Sequence, residues 1–253
     1  MTRLKCLLLG LAAFGMLSLS MEGQDRHAPV PSFKNYAGKK IVFVVGGVSG
    51  STSVSDNLSA VNAELGLGLY IVPIPWTRHD QSAKDLVDHN AQLQAAHRLA
   101  SATKALRKDA PKAQIFYLGH SAGARIVLAA AEMAGPGSVE RIFLTHAAVS
   151  TGFDLRNALK ASRYGIDSFY STSDTVLEAA GRDYVLADGE KGPAAGQTGF
   201  RIPADKRDAE LYRNLRQYAW TPECAGVGGH GAWTLARNLK RTVAPLIMNT
   251  PSH

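Results

Sequence analysis

A mostly parallel β-sheet with helices packed on both faces, a three-layer α/β/α domain, is the fold class this sequence predicts. Three observations predict it. Short β-branched and aromatic runs recur along the chain, stretches with helical spacing separate them, and several of the runs are too continuously apolar to have one wet face. A strand apolar at every position must be buried on both sides, as happens inside a parallel sheet whose crossover helices cover it above and below. With 253 residues, 45% of them hydrophobic and 19% charged, the chain can bury such a core. Its length suits one domain or at most two, and no internal repeat or second domain is legible.

The beginning stands apart. Arg3 and Lys5 precede an uncharged fifteen-residue run, CLLLGLAAFGMLSLS from Cys6 to Ser20, and polar EGQDRHAP follows after Met21. This is the layout of a secretory signal, with Ser18 and Ser20 as the small residues before a cut. The run is shorter than the roughly 20 residues a spanning helix needs. The sequence therefore predicts a signal peptide over 1–20, export to the periplasm or the cell exterior, and no stable membrane span in the mature chain. Removing Arg3 and Lys5 leaves +5 of the full chain's +7. The remaining positive charges are scattered, without a basic run interleaved with aromatics, which argues against nucleic acid as a partner. Cys224 is then the only cysteine, so an intramolecular disulfide is excluded.

Residues 21–38 are polar, contain two prolines and read as an extended lead-in; the domain is expected over 39–253. Its strands are expected at IVFVV (41–45), LYIVPI (69–74), QIFYL (114–118), RIFLTH (141–146) and IDSFYS (166–171). Helical spacing places Leu58, Val61 and Leu65 on one face between a Ser55/Asp56 cap and Gly66. Leu86, Leu93, Ala96 and Ala100 mark one long helical stretch over 82–109 before Pro111. Residues 181–207, with five glycines and two prolines, read as a loop or hairpin near the site. LYRNLRQYAW (211–220) fits either an amphipathic helix or a final strand, and a closing helix is expected over 232–246.

The chemistry is concentrated at GHSAG, 119–123, which follows the strand QIFYL and opens the helical run ARIVLAAAEMA. As a bare pattern Gly-x-Ser-x-Gly is weak in a chain with 24 glycines; set between a strand and a helix, it has the context of a nucleophile elbow. The serine of such an elbow sits in a strained turn that exposes its Oγ, and Gly119 and Gly123 leave room for the neighbouring backbone. A plain helix N-cap would explain Ser121 but neither glycine.

A serine hydroxyl needs a base, and the base needs an orienting acid. Of the eight histidines, His230 lies in GVGGHGAW, a glycine-rich loop before the last helix, where its ring can reach back over the sheet. His146, at the end of RIFLTH, is the alternative base or a pocket residue, and His120 is expected to be structural. Asp174 stands after the fifth strand, giving the order Ser, Asp, His; Asp154 is the alternative acid, and Asp183 lies farther along than the pattern favours. VVGGVSGS (44–51) leaves the first strand as a glycine-rich loop. There Val48 or Ser49 is expected to supply one oxyanion N–H and Ala122 the other. Trp76, Trp233 and Tyr170 are candidates for lining an acyl pocket.

With GHSAG after a strand, an aspartate after a later strand and a histidine before the last helix, residues 39–250 resemble the α/β-hydrolase superfamily. The resemblance implies a compact, largely uncapped serine hydrolase, similar to small esterases and lipases, acting on a small-molecule or lipid-like ester without cofactor or metal. It carries Ser121, His230 and Asp174 as catalytic residues, while the HGGG-type oxyanion motif is replaced here by GGVSG. The alternatives are a thioesterase or peptidase using the same groups, or an exported binding protein that kept the fold and lost its chemistry.

Overall fold

A computed structural model describes residues 33–77 and 82–252. The expected signal segment, most of the lead-in, and His27, His79 and His253 lie outside the described residues. The strands are β1 (Lys40–Val45), β2 (Tyr70–Pro73), β3 (Gln114–His120), β4 (Arg141–Thr145), β5 (Ile166–Tyr170) and β6 (Leu215–Ala219). They form one sheet in the order β2-β1-β3-β4-β5-β6, and every neighbouring pair is parallel. The helices are α1 (Ser53–Leu65), α2 (Ser82–Val87), α3 (His89–Asp109), α4 (Gly123–Ala134), α5 (Arg156–Ala161), α6 (Thr175–Asp183), α7 (Ala195–Thr198), α8 (Lys206–Tyr212), α9 (Ala236–Arg241) and α10 (Val243–Met248).

The period of two along each strand sorts the core into two halves. Ile41, Phe43, Ile115, Tyr117, Ile142 and Leu144 point into one cluster with Ala95, Leu99 and Leu106 of α3 and Ile126, Val127 and Ala130 of α4. Val42, Val44, Phe116, Leu118, Phe143 and Phe169 point into the other, with Leu58 and Val61 of α1, Leu239 of α9 and Val243 and Ile247 of α10. Each fully buried aliphatic or aromatic side chain contributes roughly 1.5–3 kcal/mol, so both helical layers are anchored by burial and neither face of the sheet is wet. The three-layer, parallel architecture is as expected. Two buried carboxylates brace its amino-terminal edge: Glu140 meets Arg107 at 2.8 Å, and Asp167 meets Arg141 at 2.8 Å and Arg216 at 2.7 Å.

Several local expectations are corrected. The first helix begins at Ser53, ahead of Ser55/Asp56, and Gly66 ends it in a left-handed conformation at φ 61°. Leu65 and Leu93 are exposed, and the buried face of α3 is made by Ala91, Ala95, Ala96, Leu99, Ala102 and Leu106. The stretch 82–109 is two helices, because Asp88 leaves helical geometry and its side chain caps α3 by accepting the Ala91 N–H. The closing helix is also interrupted. Leu235 is extended, and the Pro245 ring cannot sit over the Arg241 carbonyl of a continuous helix, so the chain turns at Thr242 and restarts as α10.

Residues 211–220 satisfy both expected patterns in succession, Tyr212 closing α8 and Leu215 opening β6. The lead-in is not wholly detached: Phe33 and Tyr36 are buried in the first cluster. The excursion expected over 181–207 is neither bare loop nor hairpin, and its ends belong to α6 and α8. It carries α7 and lies against the segment after β4, with Ala187 N–H donating to the Ala148 carbonyl, Ala195 N–H to Val149 and Gly196 N–H to Ala147. No helix among the described residues is long and apolar enough to cross a membrane.

Candidate active site

The register aligns Val45 with Gly119, and His120 with Thr145, so β1, β3 and β4 end at one edge and release their loops into the same space. Three non-glycine residues among those described have left-handed backbones: Ser49 (φ 58°), Ser121 (φ 54°) and His146 (φ 50°). Each follows one of these strand ends. Left-handed geometry costs an ordinary residue on the order of 1–2 kcal/mol, and such strain persists only where surrounding structure enforces it.

At Ser121 the enforcement is visible. Its N–H donates to the Thr145 carbonyl at 3.0 Å, and its own carbonyl accepts from Ala124 at 3.1 Å and Ala148 at 3.0 Å. A Cβ at Gly119 would lie 2.7 Å from Val127 Cγ2 and 2.8 Å from Ala124 Cα, and one at Gly123 only 2.3 Å from the Val45 carbonyl oxygen. Both glycines are therefore required by close backbone approach, the reason the sequence pattern gave. Gly47 lies against the serine on the other side, where an added Cβ would stand 3.6 Å from Ser121 Oγ.

Three side chains meet at this edge. Ser121 Oγ is 2.9 Å from His230 Nε2, and His230 Nδ1 is 2.8 Å from Asp174 Oδ2. Asp174 is fully buried; its other oxygen accepts the Leu177 N–H at 3.0 Å, capping α6. Burial pushes the Asp174 carboxyl up, but hydrogen bonds from His146 and His230 outweigh it and hold the group well below the usual carboxylate range.

The loop carrying His230 is fastened by Asn238 of α9. The Asn238 amide donates to the carbonyls of Ala225 (3.0 Å) and Ala232 (2.7 Å), and its oxygen accepts the Ala225 N–H at 2.8 Å. Ser171 Oγ also donates to the Gly228 carbonyl at 2.5 Å.

No protein-family model and no curated protein matches the chain. Among solved structures it is similar to the LpqC poly(3-hydroxybutyrate) depolymerase from Bordetella parapertussis, at 16% identity and TM-score 0.55 over 86% of this chain and 82% of that one. It is similar also to the Pyrococcus furiosus esterase Pf2001, at 11% identity and TM-score 0.53 over 85% and 84%. A third similarity is to the bromoperoxidase from Bacillus anthracis, at 11% identity and TM-score 0.51 over 84% and 92%. The chain has the α/β-hydrolase fold.

Within the α/β-hydrolase fold the other candidates separate. Asp154 forms an exposed pair with Arg156 at 2.6 Å, and Asp183 pairs with its neighbour Arg182 on the surface, so neither approaches the histidines. Trp233 is buried against Phe169, with ring centroids 5.1 Å apart, and donates to the Tyr170 carbonyl; Trp76 is buried and donates to the Gly46 carbonyl at 3.0 Å. Both are core residues, Trp76 in the first cluster and Trp233 in the second. Tyr170 is half-buried. The Ser49 N–H donates to Asp85 Oδ2 at 2.8 Å, which removes Ser49 as an oxyanion donor. The Val48 and Ala122 N–H groups have no protein acceptor among the described residues.

One contributor escaped sequence reasoning, and a second was placed only as an alternative. Asp85, fully buried on α2, fixes the loop after β1 through Ser49; a single acidic residue in an amphipathic helix carries no signal of that task. His146 was legible as an alternative to His230, yet it joins the same carboxylate, with Nδ1 2.7 Å from Asp174 Oδ2.

His146, Asp174 and His230 have donor atoms within 4.8 Å of one another, the spacing a metal ion could use. Both Nδ1 atoms, however, stand at N–H···O hydrogen-bond distance from one oxygen, and His230 Nε2 is spent on Ser121. The cluster is organised around protons. The His120 ring lies 5.1 Å from that of His230. Burial, and then the His230 and His146 rings, push its imidazole well below the ordinary value.

Proposed function

We propose that the protein is an exported serine hydrolase that cleaves carboxylic esters through an acyl-enzyme. The observation that carries this reading is the unbroken hydrogen-bonded path from the Ser121 hydroxyl through His230 to Asp174, set on a serine whose backbone is held in a strained conformation. An ionised Asp174 can only accept, so the His230 proton resides on Nδ1 and its Nε2 is free to take the Ser121 proton. Attack on an ester carbonyl then transfers that proton to His230 and subsequently to the leaving alcohol. Water, activated by the same nitrogen, releases the acid and restores Ser121. The N–H groups of Ala122 and Val48 are assigned to the developing oxyanion, with Gly47 giving the loop room to close on the serine. The depolymerase and esterase among the structural neighbours, and the signal layout of residues 1–20, support the ester substrate class and export.

A fluorophosphonate probe tests this reading. A single phosphonyl adduct at Ser121, located by peptide mass spectrometry and abolished by Ser121→Ala, is the expected result. Folded protein left unlabelled overturns the reading and favours a binding protein on a hydrolase fold.

The assignment of the loop makes a separate prediction. Asp85→Ala removes the carboxylate that accepts the Ser49 N–H and lowers kcat on p-nitrophenyl acetate by about 10- to 100-fold, less than the loss of an oxyanion donor itself, with KM little changed. Asp85→Asn keeps an acceptor oxygen and recovers most of the rate. Equal kcat in the parent and the Ala variant rules out a positioning role for Asp85.

A further inference from the structure

Two imidazoles share one carboxylate oxygen. Asp174 Oδ2 accepts from His230 Nδ1 at 2.8 Å and from His146 Nδ1 at 2.7 Å, although acyl transfer requires only the first. The second is built with care. His146 is fully buried and keeps a left-handed backbone, and its N–H donates to the Phe169 carbonyl at 2.9 Å. The chain at Gly196 passes so close that an added Cβ there would lie 2.2 Å from the His146 carbonyl carbon. His146 Nε2 accepts the Trp233 N–H at 3.2 Å, three residues beyond His230 on the same loop. A backbone N–H can only donate, so Nε2 of His146 is unprotonated and its single ring proton sits on Nδ1, facing Asp174.

Resting on the reading of Ser121, His230 and Asp174 as an acyl-transfer relay, we propose that His146 is a positioning residue of that relay. It is a neutral imidazole that divides the Asp174 carboxylate with His230 and, through Trp233, ties the His230 loop to the end of β4.

Two consequences follow. The first is geometric, since Asp174 and the loop bearing His230 are held to one ring that cannot turn. The second is electrostatic. The imidazolium formed at His230 during attack is stabilised by Asp174, and a second N–H on the same oxygen takes up part of the carboxylate's negative charge. The titratable groups facing the pair are Asp174, Ser121 and His120, whose ring lies 6.0 Å from His146. Burial first, and then the other two rings, push His120 well below the ordinary imidazole value, while burial outweighs the pull of Asp174 and lowers His146. The carboxylate of Asp174 is thus the charge the two rings compete for.

Two substitutions separate the roles. In His146→Asn the amide nitrogen can stand where Nδ1 stands, asparagine tolerates the left-handed backbone, and the Trp233 N–H loses its partner. In His146→Gln the longer amide reaches toward Trp233 and vacates the Nδ1 position. With kcat/KM on p-nitrophenyl acetate followed from pH 4 to 9, the Gln variant is expected to move the acid limb upward by about one pH unit, a tenfold loss on that limb. The Asn variant is expected to keep the parent limb and to lose kcat several-fold through the freed loop. Identical limbs in parent, Asn and Gln, or equal displacement in both variants, overturn the proposal.

Proton NMR gives a readout independent of turnover. The parent should show two strongly downfield ring N–H signals, and each variant only the one from His230, displaced further downfield in Gln. A parent with a single such signal refutes the shared carboxylate. A parent with both signals but no esterase activity refutes the relay reading and leaves the sharing intact.

Discussion

Ser121→Ala is expected to lower kcat/KM on short p-nitrophenyl esters by at least about 1,000-fold while the protein stays folded. Among the described residues the hydroxyl has one hydrogen-bond partner, His230 Nε2, and the side chain is small, so its removal opens no cavity. The turn is enforced by the Ser121 N–H donating to Thr145, by the Ala124 and Ala148 N–H groups donating to the Ser121 carbonyl, and by the two glycines, none of which involves Oγ. The melting temperature should therefore move by only a few degrees. Circular dichroism and an initial-rate assay on the same preparation suffice. A variant that is stable and retains more than about a tenth of parental activity would remove Ser121 from the mechanism.

Asp174→Asn is expected to cost both activity and stability. The carboxylate presents one oxygen to two imidazole N–H groups and the other to the Leu177 N–H, so each of its partners among the described residues is a donor. An amide has only one oxygen. With that oxygen facing the histidines, its NH2 confronts the Leu177 N–H and the cap of α6 is lost; turned round, it sets its NH2 against two ring N–H groups. Either way a buried donor loses its acceptor, at a cost of about 1–3 kcal/mol. Because His230 can then adopt the wrong tautomer, kcat should fall by roughly 10,000-fold.

The stability curve gives an independent check. The carboxyl of Asp174 is depressed in the folded state, so its contribution is present above the titration range of a free aspartate, near pH 4, and is lost as pH falls toward the depressed value. Urea unfolding of the parent should weaken across that window more than that of the Asn variant. Parallel curves would show that Asp174 is not held as a favoured anion.

Much of this arrangement was readable from residue pattern because it rests on local rules. The unbroken apolar runs of β1, β3 and β4 announce strands buried on both sides, and Gly119 and Gly123 bracket Ser121 for reasons the close approaches to Val127 and Val45 make explicit. The helix interruptions at Asp88 and Thr242 were not separable, since a capping aspartate and a proline two or three residues into a new helix leave the apolar period nearly intact. His146 and Asp85 mark the real limit. Each acts through partners 28 and 36 residues away in the chain, and which of two histidines reaches one aspartate, or whether both do, is decided by how strand ends align across the sheet.

The contact of Gly123 with the carbonyls of Val45 and Gly46 has a consequence for how such a protein can diversify. It locks the end of the first strand to the start of the helix behind Ser121 so closely that no side chain fits at position 123. On the proposed function, variation in substrate range is expected in exposed segments beside that junction, such as 221–231, where Val227 stands 87% exposed. Inheritance would thus conserve the reacting atoms and leave the choice of what reaches them open to revision.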